Sequence, residues 1–129
     1  MTAVNWEVLL DEARRMMKTA YAPYSKYPVG AAALTADGRI VSGCNVENAS
    51  YGLTLCAECG LVSNLIATGG GTLVAFACVD GEGNSLTPCG RCRQLLFEHG
   101  GPRLEVWDNG RIITMNDLLP GAFGPDHLA

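Results

Sequence analysis

Three cysteines and one carboxylate carry the chemical interest of this chain. Cys89 and Cys92 stand three residues apart at the predicted start of a helix, so both side chains leave one face with Cβ atoms roughly 5–6 Å apart. One zinc ion can hold both, since each Zn–S bond is about 2.3 Å. The helix mouth adds unpaired N–H groups and positive dipole, which favour thiolate over thiol. Cys56 sits at the predicted start of a second helix and has the same help. If the two mouths face one centre, three thiolates converge and a fourth position stays open for water, the layout of a catalytic zinc site. Glu58 follows Cys56 by two residues. In mid-helix the two would splay about 200° apart, but at a helix mouth a long Glu can curl back and serve as a proton shuttle.

Two plainer readings compete on spacing alone. Cys56 and Cys59 form a second C-x-x-C pair, so Cys56, Cys59, Cys89 and Cys92 also fit a structural four-cysteine site with no chemistry. Cys44 and Cys78 fall in predicted strands and read as ordinary buried thiols.

The elements that must position these residues are legible in the periodicity. Trp6, Leu9, Leu10, Ala13, Met16, Met17 and Ala20 recur at helical spacing, opposite Glu7, Asp11, Arg14, Arg15 and Lys18. That first helix ends before Pro23, and residues 21–28, with two prolines, predict irregular chain. A strand from Val29 to Leu34, an Asp37-Gly38 turn and a strand from Ile40 to about Cys44 make a hairpin. A helix follows over 55–68, with Gly69-Gly70-Gly71 as its exit. Leu73 to Val79 is continuous and apolar, as in a strand covered on both faces, and residues 80–84 break it. A third helix runs from Cys89 to His99, then strands at 104–107 and 111–113 around Asn109-Gly110. Thr114 and Asp117 have the spacing of a capping box for a last short helix. The order predicts one α/β domain spanning 1–129, a mixed five-stranded sheet with helices on both faces.

Composition narrows the function classes. Hydrophobic residues make up 48% of 129, which excludes intrinsic disorder. Nine Lys and Arg against thirteen Asp and Glu leave a net charge of −4 with no dense basic run, which argues against a nucleic-acid partner. No apolar stretch approaches the roughly 20 residues of a membrane span, and residues 1–10 lack the pattern of an export signal. The expectation is a cytoplasmic protein whose thiols stay reduced. Gly69-Gly70-Gly71 lacks the Gly-Lys-Ser/Thr of a phosphate-binding loop.

Cys56-Ala57-Glu58 followed by Pro88-Cys89-Gly90-Arg91-Cys92-Arg93-Gln94 resembles the signature of the zinc-dependent cytidine deaminases, in particular their small, homotetrameric, all-cysteine class. The segments 21–32, 43–51 and 118–125 resemble further blocks of that family in the right order, so the resemblance covers nearly the whole chain. It implies the cytidine deaminase-like fold, with one Zn²⁺ per subunit held by Cys56, Cys89 and Cys92. It also implies Glu58 as general acid/base and attack of zinc-bound hydroxide on C4 of the pyrimidine with loss of ammonia. The activity implied is deamination of cytidine and deoxycytidine in pyrimidine salvage. By the same resemblance Asn45 and Glu47 bind the ribose hydroxyls, Tyr27 and Tyr51 complete the substrate pocket, and Phe123 reaches a neighbouring subunit's site. A carboxylate at 47 would also repel a phosphate, favouring a free nucleoside. A blasticidin-type deaminase is the neighbouring alternative. The chain departs from the family pattern at Cys59, where relatives usually carry Arg, and at Gly60. Arg91, where many relatives carry Ala, is expected to compensate by donating to a zinc thiolate.

Overall fold

Parity along the central strand decides which helix packs where. The computed structural model describes residues 3–128; the expected domain bounds of 1–129 therefore include three residues outside that range. Strands β1 (Gly30–Thr35), β2 (Ile40–Cys44), β3 (Leu73–Val79), β4 (Ser85–Leu86), β5 (Glu105–Asp108) and β6 (Arg111–Thr114) form one sheet. Its order is β2-β1-β3-β5-β6, with β4 pairing β3. β3 and β5 are parallel and the other pairs antiparallel, so the sheet is mixed. Successive side chains of a strand point to opposite faces. Ala32, Ala75, Ala77 and Val79 accordingly meet Leu9, Leu10 and Ala13 of helix α1 (Trp6–Met17). Ala31, Ala33, Phe76 and Cys78 meet Leu61 and Leu65 of α2 (Ala57–Ala67) and Leu96 of α3 (Gly90–Gly100) on the other face. The result is the expected α/β arrangement with helices on both faces.

The sheet has six strands where sequence periodicity predicts five. Asp80 accepts from the backbone N–H groups of Glu82 and Asn84 and folds residues 80–84 into a turn that brings Ser85 and Leu86 back onto β3. A two-residue strand is too short to show alternation. Single-turn 3₁₀ helices at Tyr51–Leu53 and Pro125–Leu128 escape notice for the same reason. The Thr114/Asp117 capping box forms as expected and starts α4 (Met115–Leu118).

Small residues on the strands set how closely the helices approach. A Cβ on Gly43 would lie 2.5 Å from the Ala57 carbonyl oxygen and 2.5 Å from the Leu61 nitrogen. The first turns of α2 thus rest directly on the β2 backbone, and that contact fixes the height of the helix mouth carrying Cys56. Because the obstruction is backbone, Gly43→Ala is expected to cost about 3 kcal/mol, the upper end of ordinary overpacking. Urea denaturation checks this, and an unshifted midpoint would contradict the close approach.

Candidate active site

Two helix mouths supply the sulfurs. Cys56 is the N-cap of α2 and Cys89 the N-cap of α3, both with extended backbone (φ −66° and −65°) and neither side chain spent on capping its own helix. Cys92 lies one turn into α3, fully buried, and α2 packs against α3. The sulfurs of Cys56, Cys89 and Cys92 all lie within 4.8 Å of one another. Tetrahedral ligands at Zn–S distances of about 2.3 Å stand roughly 3.8 Å apart, so the trio fits one ion with little adjustment. Among the described residues this is the one such group of His, Cys, Asp and Glu side chains.

Thiol acidity follows burial more than the helix dipole. Burial pushes the Cys56 and Cys92 thiols up, and the neighbouring Glu58 charge adds to this at both. Only Cys89, steadied by the backbone N–H of Cys92, is held below the usual thiol range. At Cys56 and Cys92 burial thus opposes the help that the helix mouths give. A bound cation would favour the thiolate at all three positions.

Glu58 occupies the first turn of α2 and is 4% exposed. Burial raises its carboxyl above the usual range, opposed by its own backbone N–H and by the Cys92 side chain. A solvated helix glutamate is thereby ruled out. The carboxylate is sequestered beside the sulfurs, where it can hold or release a proton without bulk water.

Cys59 does not join the trio. Its sulfur accepts from Nη1 of Arg91 at 3.0 Å, which removes the four-cysteine arrangement and corrects the expected role of Arg91. That guanidinium donates to Cys59 rather than to one of the three clustered sulfurs. Cys59→Ser keeps an acceptor for Arg91, so one zinc per chain and a specific activity within about twofold of the parent are expected. Metal analysis beside a rate assay checks it, and loss of metal would restore the four-cysteine reading. Cys78 is a buried thiol whose Sγ donates to the Leu86 carbonyl at 3.2 Å, and Cys44 is half-buried near Thr19.

The other site candidates surround this centre unevenly. Val46 and Leu55 pair in a backbone bridge, with bonds of 2.9 Å in both directions, which puts Asn45 and Glu47 beside the residue preceding Cys56. A cleft of about 250 Å³ is lined by Tyr24, Ser25, Glu47, Asn48, Tyr51 and Thr54, bringing Glu47 and Tyr51 together. Tyr27 and Asn45 are joined by a 2.9 Å bond from Asn45 Nδ2 to the Tyr27 carbonyl and lie outside that lining. Phe123 is 58% exposed and stacks on His127, while its carbonyl accepts from Gln94 Nε2 on α3 at 2.7 Å. A larger hollow of about 460 Å³ along α1, lined by Val8, Asp11, Glu12, Arg15 and Ile40, holds none of these residues.

Two contributors escaped the residue-by-residue reading. Arg93 donates to the carbonyls of Pro88 at 2.7 Å and Leu118 at 3.0 Å, tying the mouth of α3 to the C-terminal segment. Ser25 holds the Glu47 carboxylate. Arg93 lies within the Cys89–Gln94 block and could have been noticed there; Ser25 carries no signal of its own.

A mixed sheet that aims two helix mouths, three sulfurs and a sequestered carboxylate at one point defines a metal-dependent hydrolytic enzyme. Residues 4–107 match the cytidine and deoxycytidylate deaminase zinc-binding region. A cytidine deaminase of Mycobacterium tuberculosis is 58% identical over 128 residues, covering 99% of this chain and 96% of that protein. A crystal structure of cytidine deaminase from M. tuberculosis superposes with TM-score 0.92 at 58% identity, covering 95% and 99% of the two chains. One from Burkholderia pseudomallei does so at 0.82 and 42%, covering 95% and 100%. The chain belongs to the cytidine and deoxycytidylate deaminase family, and zinc is its cofactor, with Cys56, Cys89 and Cys92 placed to hold it.

Proposed function

We propose that this enzyme hydrolyses cytidine and deoxycytidine to uridine and deoxyuridine, releasing ammonia. The observation that carries the reading is the buried Glu58 carboxylate beside three sulfurs that one ion can bridge. Bound zinc supplies a Lewis acid that makes water acidic near neutral pH. Glu58 takes a proton from the attacking water and delivers it to N3 of the pyrimidine, the general acid/base role of zinc-dependent nucleobase deaminases. The carbon at position 4 gains the water oxygen as a hydroxyl; Glu58 then takes that hydroxyl's remaining proton and hands it to the amino nitrogen, which leaves as ammonia while the C–O bond becomes the carbonyl. Its burial limits exchange with bulk solvent during that shuttle.

Asn45 and Glu47 are the groups for the sugar hydroxyls: an amide donates and accepts, and an ionised carboxylate accepts. Tyr27, Tyr51 and Phe123 complete the nucleoside site in this reading. Glu47 disfavours a phosphate on the sugar, and the net charge of −4 disfavours nucleic acid.

The enzyme acts as a single domain in a homotetramer whose sites are shared, with Phe123 contributed across an interface. Apolar exposure supports this: Tyr21, Val46 and Leu55 lie side by side in two backbone bridges, all exposed, and Tyr51 beyond them is 76% exposed. Contiguous exposed apolar surface marks an interaction face. No described helix is long and apolar enough to cross a membrane. A cytoplasmic place in pyrimidine salvage fits these features. Incubation with cytidine, deoxycytidine and cytidine monophosphate, followed by absorbance, tests the substrate. Both nucleosides are expected to turn over, the monophosphate far more slowly; an inert protein would remove the proposal.

A further inference from the structure

The irregular segment at residues 21–29 poses a problem of backbone satisfaction. It contains Pro23 and Pro28, forms no regular strand or helix, and holds Lys26 at φ 59°, a left-handed conformation that a non-glycine residue adopts only when held. Backbone N–H groups in such a segment need partners from elsewhere. Glu47 accepts from two of them and from one side-chain hydroxyl. Its Oε1 accepts from the Tyr24 N–H at 2.9 Å and the Ser25 N–H at 3.1 Å, and its Oε2 accepts from the Ser25 hydroxyl. Ser25 Oγ in turn accepts from the Tyr27 N–H at 3.0 Å. Asn45 closes the far end: its Oδ1 accepts from the Val29 N–H at 2.9 Å and its Nδ2 donates to the Tyr27 carbonyl. The backbone of the same strip adds Tyr21 N–H to the Asn45 carbonyl at 3.0 Å and Glu47 N–H to the Tyr21 carbonyl at 2.8 Å.

We infer that Glu47 is a positioning residue. Its carboxylate latches residues 24–27, of which Tyr24 and Ser25 line the cleft, and Ser25 relays that hold to the Tyr27 backbone. An ionised carboxylate has about four acceptor sites, of which three are engaged, so the latch leaves one for a ligand hydroxyl. The two roles are compatible. Glu47 therefore contributes to turnover of substrates that offer it no hydroxyl at all.

The kinetic arm of the test rests on the nucleoside deaminase reading; the structural arm does not. Hydrogen exchange is measured on peptides covering residues 21–29 in the parent, Glu47→Ala and Ser25→Ala proteins, with peptides from β1 and β3 as a control for folding. Loss of the charged acceptor is expected to speed exchange at 21–29 by about tenfold or more in Glu47→Ala and by less in Ser25→Ala, with the control peptides unchanged. In parallel, kcat/KM is measured with cytidine and with 2′,3′-dideoxycytidine, which lacks both hydroxyls. The latch requires Glu47→Ala to lower kcat/KM for the dideoxy substrate, and Ser25→Ala to lower it in the same direction. Unchanged exchange at 21–29 overturns the inference whatever the rates do, as does a defect confined to cytidine. Should Glu47→Ala fail to fold, Ser25→Ala carries both readouts. A parent protein inert toward every nucleoside would remove the proposed function and leave the exchange result to decide the latch.

Discussion

Glu58→Gln is expected to bind one zinc per chain and to lose nearly all turnover, by about 10²–10⁴-fold in kcat. Glutamine matches the size of the buried carboxyl and keeps an oxygen, but it cannot take a proton from water at any working pH. The position is 4% exposed, so no solvent molecule can readily substitute for the missing base. The metal should be untouched, because the three clustered sulfurs belong to other residues. Stability should hold or rise slightly: burial disfavours the ionised carboxylate, and an amide of the same shape escapes that penalty. Metal analysis, a denaturation curve and a rate assay on one preparation separate these effects. Parental turnover in Glu58→Gln would remove the proton-shuttle role, and loss of zinc would mean that Glu58 belongs to the metal site instead.

What could be read before the structure depended on how far apart the interacting residues lie along the chain. The Asp37-Gly38 hairpin is local, closed by a 2.8 Å bond from Thr35 N–H to the Arg39 carbonyl with Gly38 at φ 93°, and turn chemistry alone predicts it. Leu73–Val79 is a strand at the predicted bounds because nothing polar interrupts it. Spacing placed Cys89 and Cys92 on one helix face. It could not say whether Cys56 met them alone or together with Cys59, because a second C-x-x-C pair fits a four-cysteine site equally well. The answer lies 32 residues away in Arg91, whose guanidinium engages Cys59. The burial of Glu58 was equally hidden, since nothing in the pattern around it distinguishes a buried carboxylate from a solvated helix residue. Asn45 and Glu47 were recognisable as polar groups near the site through family resemblance. Their partners were not, because backbone amides of an irregular segment some twenty residues upstream leave no mark in residue types.

Removal of one sulfur should be felt by the fold as well as by the reaction. Cys92 is fully buried, belongs to the metal trio and lies on α3, which packs against α2. Cys92→Ala leaves two ligands, too few for a tetrahedral zinc site, so zinc is expected to be lost on gel filtration. Because the ion binds the folded chain and not the unfolded one, its affinity is part of the stability: at a thousandfold excess over the dissociation constant this linkage amounts to about 4 kcal/mol. For a domain of this size the unfolding midpoint should fall on the order of 15 °C. The void left by one sulfur adds a smaller amount, and Cys78→Ala measures that contribution separately. Cys78 is equally buried, but its Sγ faces the Leu86 carbonyl outside the trio. Chelation gives the decisive contrast: it should bring the parent protein down to nearly the Cys92→Ala midpoint, shift Cys78→Ala by the same amount as the parent, and leave Cys92→Ala where it was. A parent protein indifferent to chelation, or a Cys92→Ala protein with full zinc, would mean that the three sulfurs do not share one ion.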